Sequence, residues 1–329
     1  MQELRQGKFF KKYERTVILM SHKIGAVLVT YNRLDKLKIA LQSFESQTLS
    51  PEYVLVVNNA STDGTSAFLQ KWSEQETNYR RLYFDLKENT GGSGGFYYGL
   101  NEAMQLNADW IWISDDDAFP DKDAFRTISN CLDQLGSGVS AVCCTVMNNK
   151  NIDTWHRRNI FVENNRIVER TIPEEIYKND IFELNAFSYV GAVVNKSCLE
   201  IVGLTDPEYF IFYDDTEHSL RLNSIGKIIC CTRAIVYHDQ SVGDTKSKKW
   251  KEYYKIRNRY LTYKKHFSKK IVLIEYAVFW KQLLKYSIRK MFGKSTTVTY
   301  DALLDSILGR KGKNNSYIPG MDVTNITIC

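Results

Sequence analysis

Trp110-Ile111-Trp112-Ile113-Ser114-Asp115-Asp116-Asp117-Ala118 is the stretch on which the reading of this chain turns. Four large apolar residues in succession have the pattern of a strand buried on both faces, as in a parallel sheet. The three carboxylates at its exit stand where strands of an open α/β sheet deliver side chains to a ligand. Like charges in sequence repel, a cation relieves the repulsion, and hard oxygen donors suit Mn²⁺ or Mg²⁺. Alternation along a strand points Asp115 and Asp117 to one side, so these two are the expected metal pair, and Asp116 faces the other way, toward the rest of the ligand. A solvated acidic turn is the competing reading.

Similar apolar runs lie upstream at Ile24–Thr30, Tyr53–Val57 and Leu82–Phe84. Between them the apolar residues recur at helical spacing: Leu34, Leu37, Leu41 and Phe44; Ala67, Phe68 and Trp72; Phe96, Leu100 and Met104. Strands alternating with helices predict an α/β fold, an open Rossmann-like mixed sheet flanked by helices. The second half, from about Ser140, reads as mixed α/β, with a loop-rich region over 148–180 and a strand over Tyr189–Val194. From about Lys248 a C-terminal helical extension is expected. The boundaries read as an N-terminal extension over 1–22, a core over 23–245 and a basic helical region over 246–329. The core divides into a donor half, about 23–120, and an acceptor half, about 121–245.

Each predicted strand ends in a polar motif. Thr30-Tyr-Asn32-Arg33 follows the first, and Asn58-Asn-Ala-Ser-Thr-Asp63-Gly64-Thr65 follows the second. Such short polar side chains bond a base edge and ribose, although they equally serve as turns and helix caps. Asn89-Thr-Gly91-Gly92-Ser-Gly-Gly-Phe96 follows the third, a glycine-rich loop whose backbone amides can approach a diphosphate, with a flexible connector as the alternative. Further on, Phe210-Ile-Phe-Tyr-Asp214-Asp215-Thr-Glu217 presents carboxylates from an aromatic segment, a setting that raises basicity toward an alcohol proton. His238 ends another apolar run and is a candidate imidazole ligand.

Composition bounds these readings. With 329 residues, 43% hydrophobic and 13% aromatic, the chain is globular. Seven cysteines lack the spacing of a disulfide framework or a zinc site, so reduced buried thiols and a cytosolic location are expected. Met1–Glu14 has no apolar run that would make it a signal peptide. Ile271–Trp280, interrupted by Glu275, is too short to span a membrane. The net charge of +6 hides an asymmetry: residues 246–294 alone carry +14, leaving −8 elsewhere. There, Lys248–Arg259 interleaves cations with Trp250, Tyr253 and Tyr254, as a helix at an anionic membrane surface does. The alternative packs those aromatics on the core, and nucleic acid is the least favoured partner. Arg257 and Arg259 are candidates for closing over a diphosphate.

Taken in this order over Lys23–Asp239, the four motifs resemble the family 2 glycosyltransferases of the GT-A fold. Asn89–Phe96, Asp115–Ala118 and Tyr213–Glu217 look most like bacterial galactofuranosyltransferases, with rhamnosyltransferases next. The resemblance implies a UDP- or dTDP-sugar donor, a Mn²⁺ or Mg²⁺ ion and inversion at the anomeric carbon. It also implies a glycan or lipid-linked glycan acceptor and work at the inner face of the plasma membrane. By motif, Asp115, Asp117 and His238 would hold the metal and Asp215 would be the base, with Asp214 competing for that role. Thr30, Asn32, Arg33, Asn58, Asp63, Asn89, Gly91, Gly92 and Asp116 would line the donor site, and Asp214, Glu217 and Gly191 the acceptor site. The family usually has an acidic residue where this chain has Asn58, whose carbonyl can still accept from a pyrimidine N3–H. A non-catalytic sugar-nucleotide or glycan-binding module on the same fold is the other function class. A nucleotidyltransferase would require a triphosphate-binding loop, and the sequence offers none that fits.

Overall fold

The computed structural model describes residues 22–239, 249–293 and 297–319. All but the last residue of the N-terminal extension expected over 1–22 lies outside them, as do Lys246–Lys248. The donor half alternates β1 (Ile24–Thr30), α1 (Leu34–Glu45), β2 (Tyr53–Asn58), α2 (Thr65–Ser73), β3 (Arg80–Asp85), α3 (Gly91–Ala103) and β4 (Trp110–Asp115). β2 and β4 both pair with β1 in parallel, and β3 pairs with β2 in parallel. Every residue of β1 and β2 is buried, as the continuous apolar runs require.

Then come β5 (Ala118–Pro120), α4 (Ala124–Leu135), β6 (Val139–Asn148), β7 (Asn151–Ile152), β8 (Arg157–Glu163) and β9 (Arg166–Thr171). They are followed by β10 (Ile181–Leu184), β11 (Ala186–Phe187), β12 (Ala192–Asn195), α5 (Lys196–Val202), α6 (Asp214–Asn223) and β13 (Lys227–His238). The main sheet runs β10-β13-β6-β12-β4-β1-β2-β3, with β5 on β13 and β7 on β6. Its antiparallel β12 joins β4 to β6, which makes the sheet mixed. The region expected to be loop-rich, 148–180, instead carries the β8–β9 hairpin, which with β11 forms a second sheet. Its short, polar, arginine-rich strands hide the alternation that marks a strand in sequence.

Packing is two-sided. On one face Trp112 stacks on Phe125 at 5.0 Å between ring centroids, and Phe44 of α1 meets both rings edge-on. On the other, Ile111 and Ile113 pack with Phe96 and Leu100 of α3. The glycine-rich run is not a loop: Gly91 opens α3. A Cβ on Gly95 or Gly99 would come within 2.5 Å of Val29 or Val27 Cγ1, so glycine lets this helix lie against β1.

The C-terminal region is helical as expected: α7 (Lys249–His266), α8 (Lys269–Ala277), α9 (Trp280–Met291) and α10 (Val298–Leu308). The expectation for α7 needs correction. Trp250, Tyr253, Tyr254 and Tyr260 are all buried, so the helix turns its aromatics onto the core instead of presenting them to a membrane.

Candidate active site

The carboxyl ends of β1, β2, β3 and β4 gather the predicted donor residues. β4 stops at Asp115, and Asp116 and Asp117 form the turn into β5, so strand alternation does not govern where they point. Asp116 is buried, accepting from Thr30 Oγ1 at 2.7 Å and from Arg33 Nη1 at 3.2 Å. Thr30 and Asp116 thereby lock the acidic turn to β1. Asp117 accepts from Arg33 Nη1 at 2.6 Å and lies 3.3 Å from His238 Nε2. Asn32, Arg33, Asp63 and Asp117 line one open cleft.

Electrostatics mark Asp115. Burial, then the charges of Asp117 and Asp116, raise its carboxyl to about 7 despite His238 and Arg33. Burial also raises Asp116, to about 6, against the pull of Arg33 and Thr30. Burial would lower His238, but its bond to Asp117 and the charges of Asp117 and Asp115 outweigh that and raise it. Burial would raise Asp117, but His238 and Arg33 lower it; the turn thus offers hard oxygen donors beside an imidazole, the donor types a divalent cation takes.

The outer donor residues carry local structure as well. Asn32, at φ +52°, accepts from Thr62 N–H at 2.7 Å, joining two loops. Asp63 accepts from Leu34 N–H at 3.0 Å and Thr65 Oγ1 at 2.6 Å, capping α1 and α2 together. Asn89 accepts from Gly91 N–H at 2.8 Å, and a Cβ on Gly91 would run into the Phe210 carbonyl. A Cβ on Gly92 would meet nothing within 4 Å, so no contact within the chain demands glycine there.

Asn58 departs from its expected role. It is 1% exposed, accepts from Ser61 N–H at 3.1 Å and donates to Asp85 Oδ1 at 2.6 Å. The acid absent from the end of β2 is present at the paired position of β3, where Asp85 is exposed.

The acceptor half is built on a strained turn. Phe210, Phe212 and Tyr213 have φ of +65° to +66°, a region costly for side-chain-bearing residues, and they deliver Asp214 and Asp215 to the first turn of α6. Helix α7 holds this turn: Asn258 Nδ2 lies 2.8, 2.8 and 2.9 Å from the carbonyls of Tyr209, Ile211 and Phe212. Arg257, 1% exposed, donates to Tyr209 O at 3.2 Å and Gly312 O at 2.6 Å. It is therefore committed to the turn and unavailable to a diphosphate. Arg259 lies 3.3 Å from Glu169, which also accepts from Tyr213 Oη and Tyr263 Oη.

Asp214 is buried, and desolvation followed by the charge of Asp215 raises it to about 8, with Asp115 adding to the rise. Ser93 N–H of α3 donates to the Phe210 carbonyl at 3.1 Å, which sets the turn ahead of Asp214 against the first turn of α3. Burial also raises Asp215, against Arg158 and the Thr216 N–H that bonds it at 2.5 Å.

Two expected acceptor residues are placed otherwise. Glu217 has no exposed side-chain surface and accepts from Arg221 at 3.0 Å, Lys265 at 2.7 Å and His266 at 3.0 Å. Burial would raise its carboxyl, but His266, Arg221 and Lys265 hold it far below the usual range. It ties α6 to α7 and has no free face for an acceptor. Gly191 is buried at φ +64°, its missing Cβ leaves room for Val236, and its carbonyl accepts from Cys144 N–H at 2.9 Å.

Sequence reading missed the segment Asp153–Arg158. His156 packs edge-on against His238 with ring centroids 4.9 Å apart, and ligating atoms of Asp153, His156 and His238 lie within 4.8 Å of one another. Arg157, fully buried, donates to the carbonyls of Cys144, His156 and Val190 at 2.8 to 2.9 Å and fixes the segment there. The available signal was Asp153-Thr-Trp-His156, an acid three positions ahead of a histidine, and His238 followed directly by Asp239.

Residues 26–197 match the model of glycosyl transferase family 2. Among curated proteins, the chain is 28% identical over 205 residues to the galactofuranosyltransferase GlfT1 of Mycobacterium tuberculosis (strain H37Rv), covering 62% of this chain and 65% of that one. The chain thus spans just under two thirds of the length of these relatives. It is 24% identical over 277 residues to the dTDP-rhamnosyl transferase RfbF of Shigella flexneri, covering 79% and 86%. Among solved structures, the mannosyltransferase PcManGT from Pyrobaculum calidifontis with GDP-Man and Mn²⁺ superposes with a TM-score of 0.54 at 15% identity, covering 88% and 74%. GalNAc-T7 with UDP, GalNAc and Mn²⁺ gives 0.58 at 12% identity, covering 74% and 48%. At these identities the structural matches speak for the fold.

Proposed function

Since the chain belongs to glycosyl transferase family 2, we propose that it is an inverting, metal-dependent transferase that moves galactofuranose from UDP-galactofuranose to a hydroxyl of a glycan or lipid-linked glycan. The observation that carries this reading is the convergence of two acidic segments on α3: β1, which Thr30 ties to Asp116, lies against Gly95, and the Phe210 carbonyl ahead of Asp214 accepts from Ser93 N–H at 3.1 Å.

In this reading Asp115, Asp117 and His238 would hold Mn²⁺ or Mg²⁺, whose positive charge, when bound, would offset charge growing on the departing diphosphate. Arg33 and the first turn of α3, open at Gly92, face the phosphates. Asp85, held by Asn58 and by Ser66 Oγ at 2.6 Å, supplies the carboxylate for a pyrimidine N3–H, taking the role expected of Asn58. Asp215 removes the proton of the acceptor hydroxyl as its oxygen attacks the face opposite the leaving group, so one displacement inverts the centre. Asp214, raised by burial and by the charge of Asp215, would share a proton with it and keep the pair from being doubly charged.

A rhamnosyl donor is the second reading, favoured by the longer stretch of this chain aligned with RfbF. A panel of sugar nucleotides with Mn²⁺ and lipid-linked acceptors, read by nucleotide release, tests both. Release from UDP-galactofuranose supports the first, release from dTDP-rhamnose alone replaces it with the second, and no acceptor-dependent release from any donor refutes transfer.

A further inference from the structure

Helix α9 has no buried residue, although it carries the sequence Trp280-Lys-Gln-Leu-Leu-Lys-Tyr-Ser-Ile-Arg-Lys-Met291. Trp280 is 56% exposed, Leu284 55%, Ile288 48% and Met291 83%, and Phe292, which ends the helix, is 73% exposed. Positions 280, 284, 288 and 291 fall within roughly 80° of one another at ~100° per residue, so they form one stripe. One flank of the stripe meets the protein: Leu283, about 60° round from Trp280, packs with the cluster that includes Ile271 and Val272 of α8, and Ser287 Oγ lies 3.1 Å from Tyr300 Oη. An ordinary surface helix turns its apolar stripe inward, and α9 turns it outward.

The charge beside the stripe is of one sign. Lys281, Lys285 and Arg289 each follow a stripe residue by one position and line one flank. The acid nearest in sequence, Glu275 of α8, is 5% exposed and paired with Arg166 at 2.8 Å. A stripe of Trp, Leu, Ile and Met bordered by cations on its outer flank is complementary to a surface that is apolar beneath and anionic above, as an anionic lipid leaflet is. A nucleic acid would meet the cations but leave the stripe in water. The twelve residues of α9 extend about 18 Å, short of the ~30 Å hydrocarbon core, and no helix among the described residues is long and apolar enough to cross a membrane.

From this we infer that α9 is a docking helix that lies in the interface of an anionic lipid surface, inserting Trp280, Leu284, Ile288 and Met291 while Lys281, Lys285 and Arg289 meet the headgroups. The role expected of α7 in sequence falls to α9, whose apolar face is the exposed one. The inference stands apart from the donor chemistry, because none of these residues lies in the cleft.

Co-sedimentation of the full chain with phosphatidylglycerol–phosphatidylcholine vesicles and with pure phosphatidylcholine vesicles tests it. The wild type is expected to partition onto the anionic vesicles and to weaken as salt is raised. The exposed pair Leu284→Glu with Ile288→Glu should lower partitioning more than about tenfold. Lys281→Gln with Lys285→Gln should lower it about fivefold per charge removed, since each contributes about 1 kcal/mol. Thermal unfolding and nucleotide binding, measured in parallel, should not change in either variant. Equal partitioning of the Leu284/Ile288 variant, or no partitioning by the wild type, overturns the inference. So does self-association of the wild type without vesicles that those substitutions abolish, which would make a second copy the occupant of the stripe.

Discussion

Replacing Asn258 by alanine removes the amide that holds the turn carrying Asp214 and Asp215. The Asn258 side chain is fully buried, and its two N–H groups serve three carbonyls at 2.8 to 2.9 Å, all three belonging to or next to residues at positive φ. Truncation leaves the part-buried carbonyls of Ile211 and Phe212 without that donor, at roughly 1 kcal/mol each, while Tyr209 O keeps Arg257. The strained residues Phe210, Phe212 and Tyr213, each costing of order 1–3 kcal/mol, then have less to hold them. The expected loss of folding stability is about 2–5 kcal/mol, read as a lowered urea midpoint at unchanged slope. Any relaxation of the turn moves Asp215, and a displacement of about 1 Å at a reacting group costs on the order of a hundredfold in rate. The donor residues lie on the other half of the sheet edge, so Mn²⁺-dependent nucleotide binding by calorimetry should be retained. A variant with unchanged urea midpoint and unchanged turnover would refute the argument that Asn258 supports the turn. Equal loss of nucleotide binding and turnover would refute the division of the cleft into separately held halves.

Glu217→Gln should destabilise the fold by about 3 kcal/mol at neutral pH, because it leaves Arg221, Lys265 and His266 facing an uncharged group in a buried site. The Glu217 carboxyl is held below its ordinary 4.5, so its contribution is present above that pH and is lost as pH falls through the lowered value. The gap between wild type and variant in urea unfolding should therefore narrow in acid, and a gap independent of pH would contradict the ion-pair account. Asp214 behaves oppositely: raised from 3.8 to about 8, its favourable contribution is complete below about 3.8 and is lost as pH rises through about 8. Metal-free protein should lose stability across that window, Asp214→Asn should flatten the slope, and identical slopes would contradict the assignment. Asp85→Asn should weaken uridine nucleotide binding more than Asn58→Asp does, as measured by calorimetry. The reverse order would return base recognition to the end of β2.

The donor half was the more legible part of the sequence because its signals are local. Uninterrupted apolar runs specify doubly buried strands, and each strand's polar exit follows it directly in the chain. What periodicity could not show is which polar side chains are consumed inside the protein. Asp63 caps two helices and Asn58 is spent on Ser61 and Asp85, contacts set by loops distant in sequence. The glycine-rich run reads as a loop because glycine disfavours helices, yet tertiary contact with β1 demands glycine in α3. The acceptor half depends on partners brought from afar: Asn258 and Lys265 from α7, Arg158 and Glu169 from the β8–β9 hairpin. Glu217 looked like an acceptor ligand because the Asp-Asp-x-Glu spacing is visible and the Arg221, Lys265 and His266 side chains that close over it are not.

The central claim is that Asp115, Asp117 and His238 serve the donor while Asp215 serves the acceptor. The most direct test compares Asp215→Asn with the wild type in Mn²⁺, measuring acceptor-dependent nucleotide release and nucleotide binding on the same preparations. The account predicts that release falls by about 10²–10⁴ while Mn²⁺-dependent nucleotide binding is unchanged. Release at the wild-type rate in Asp215→Asn would contradict it.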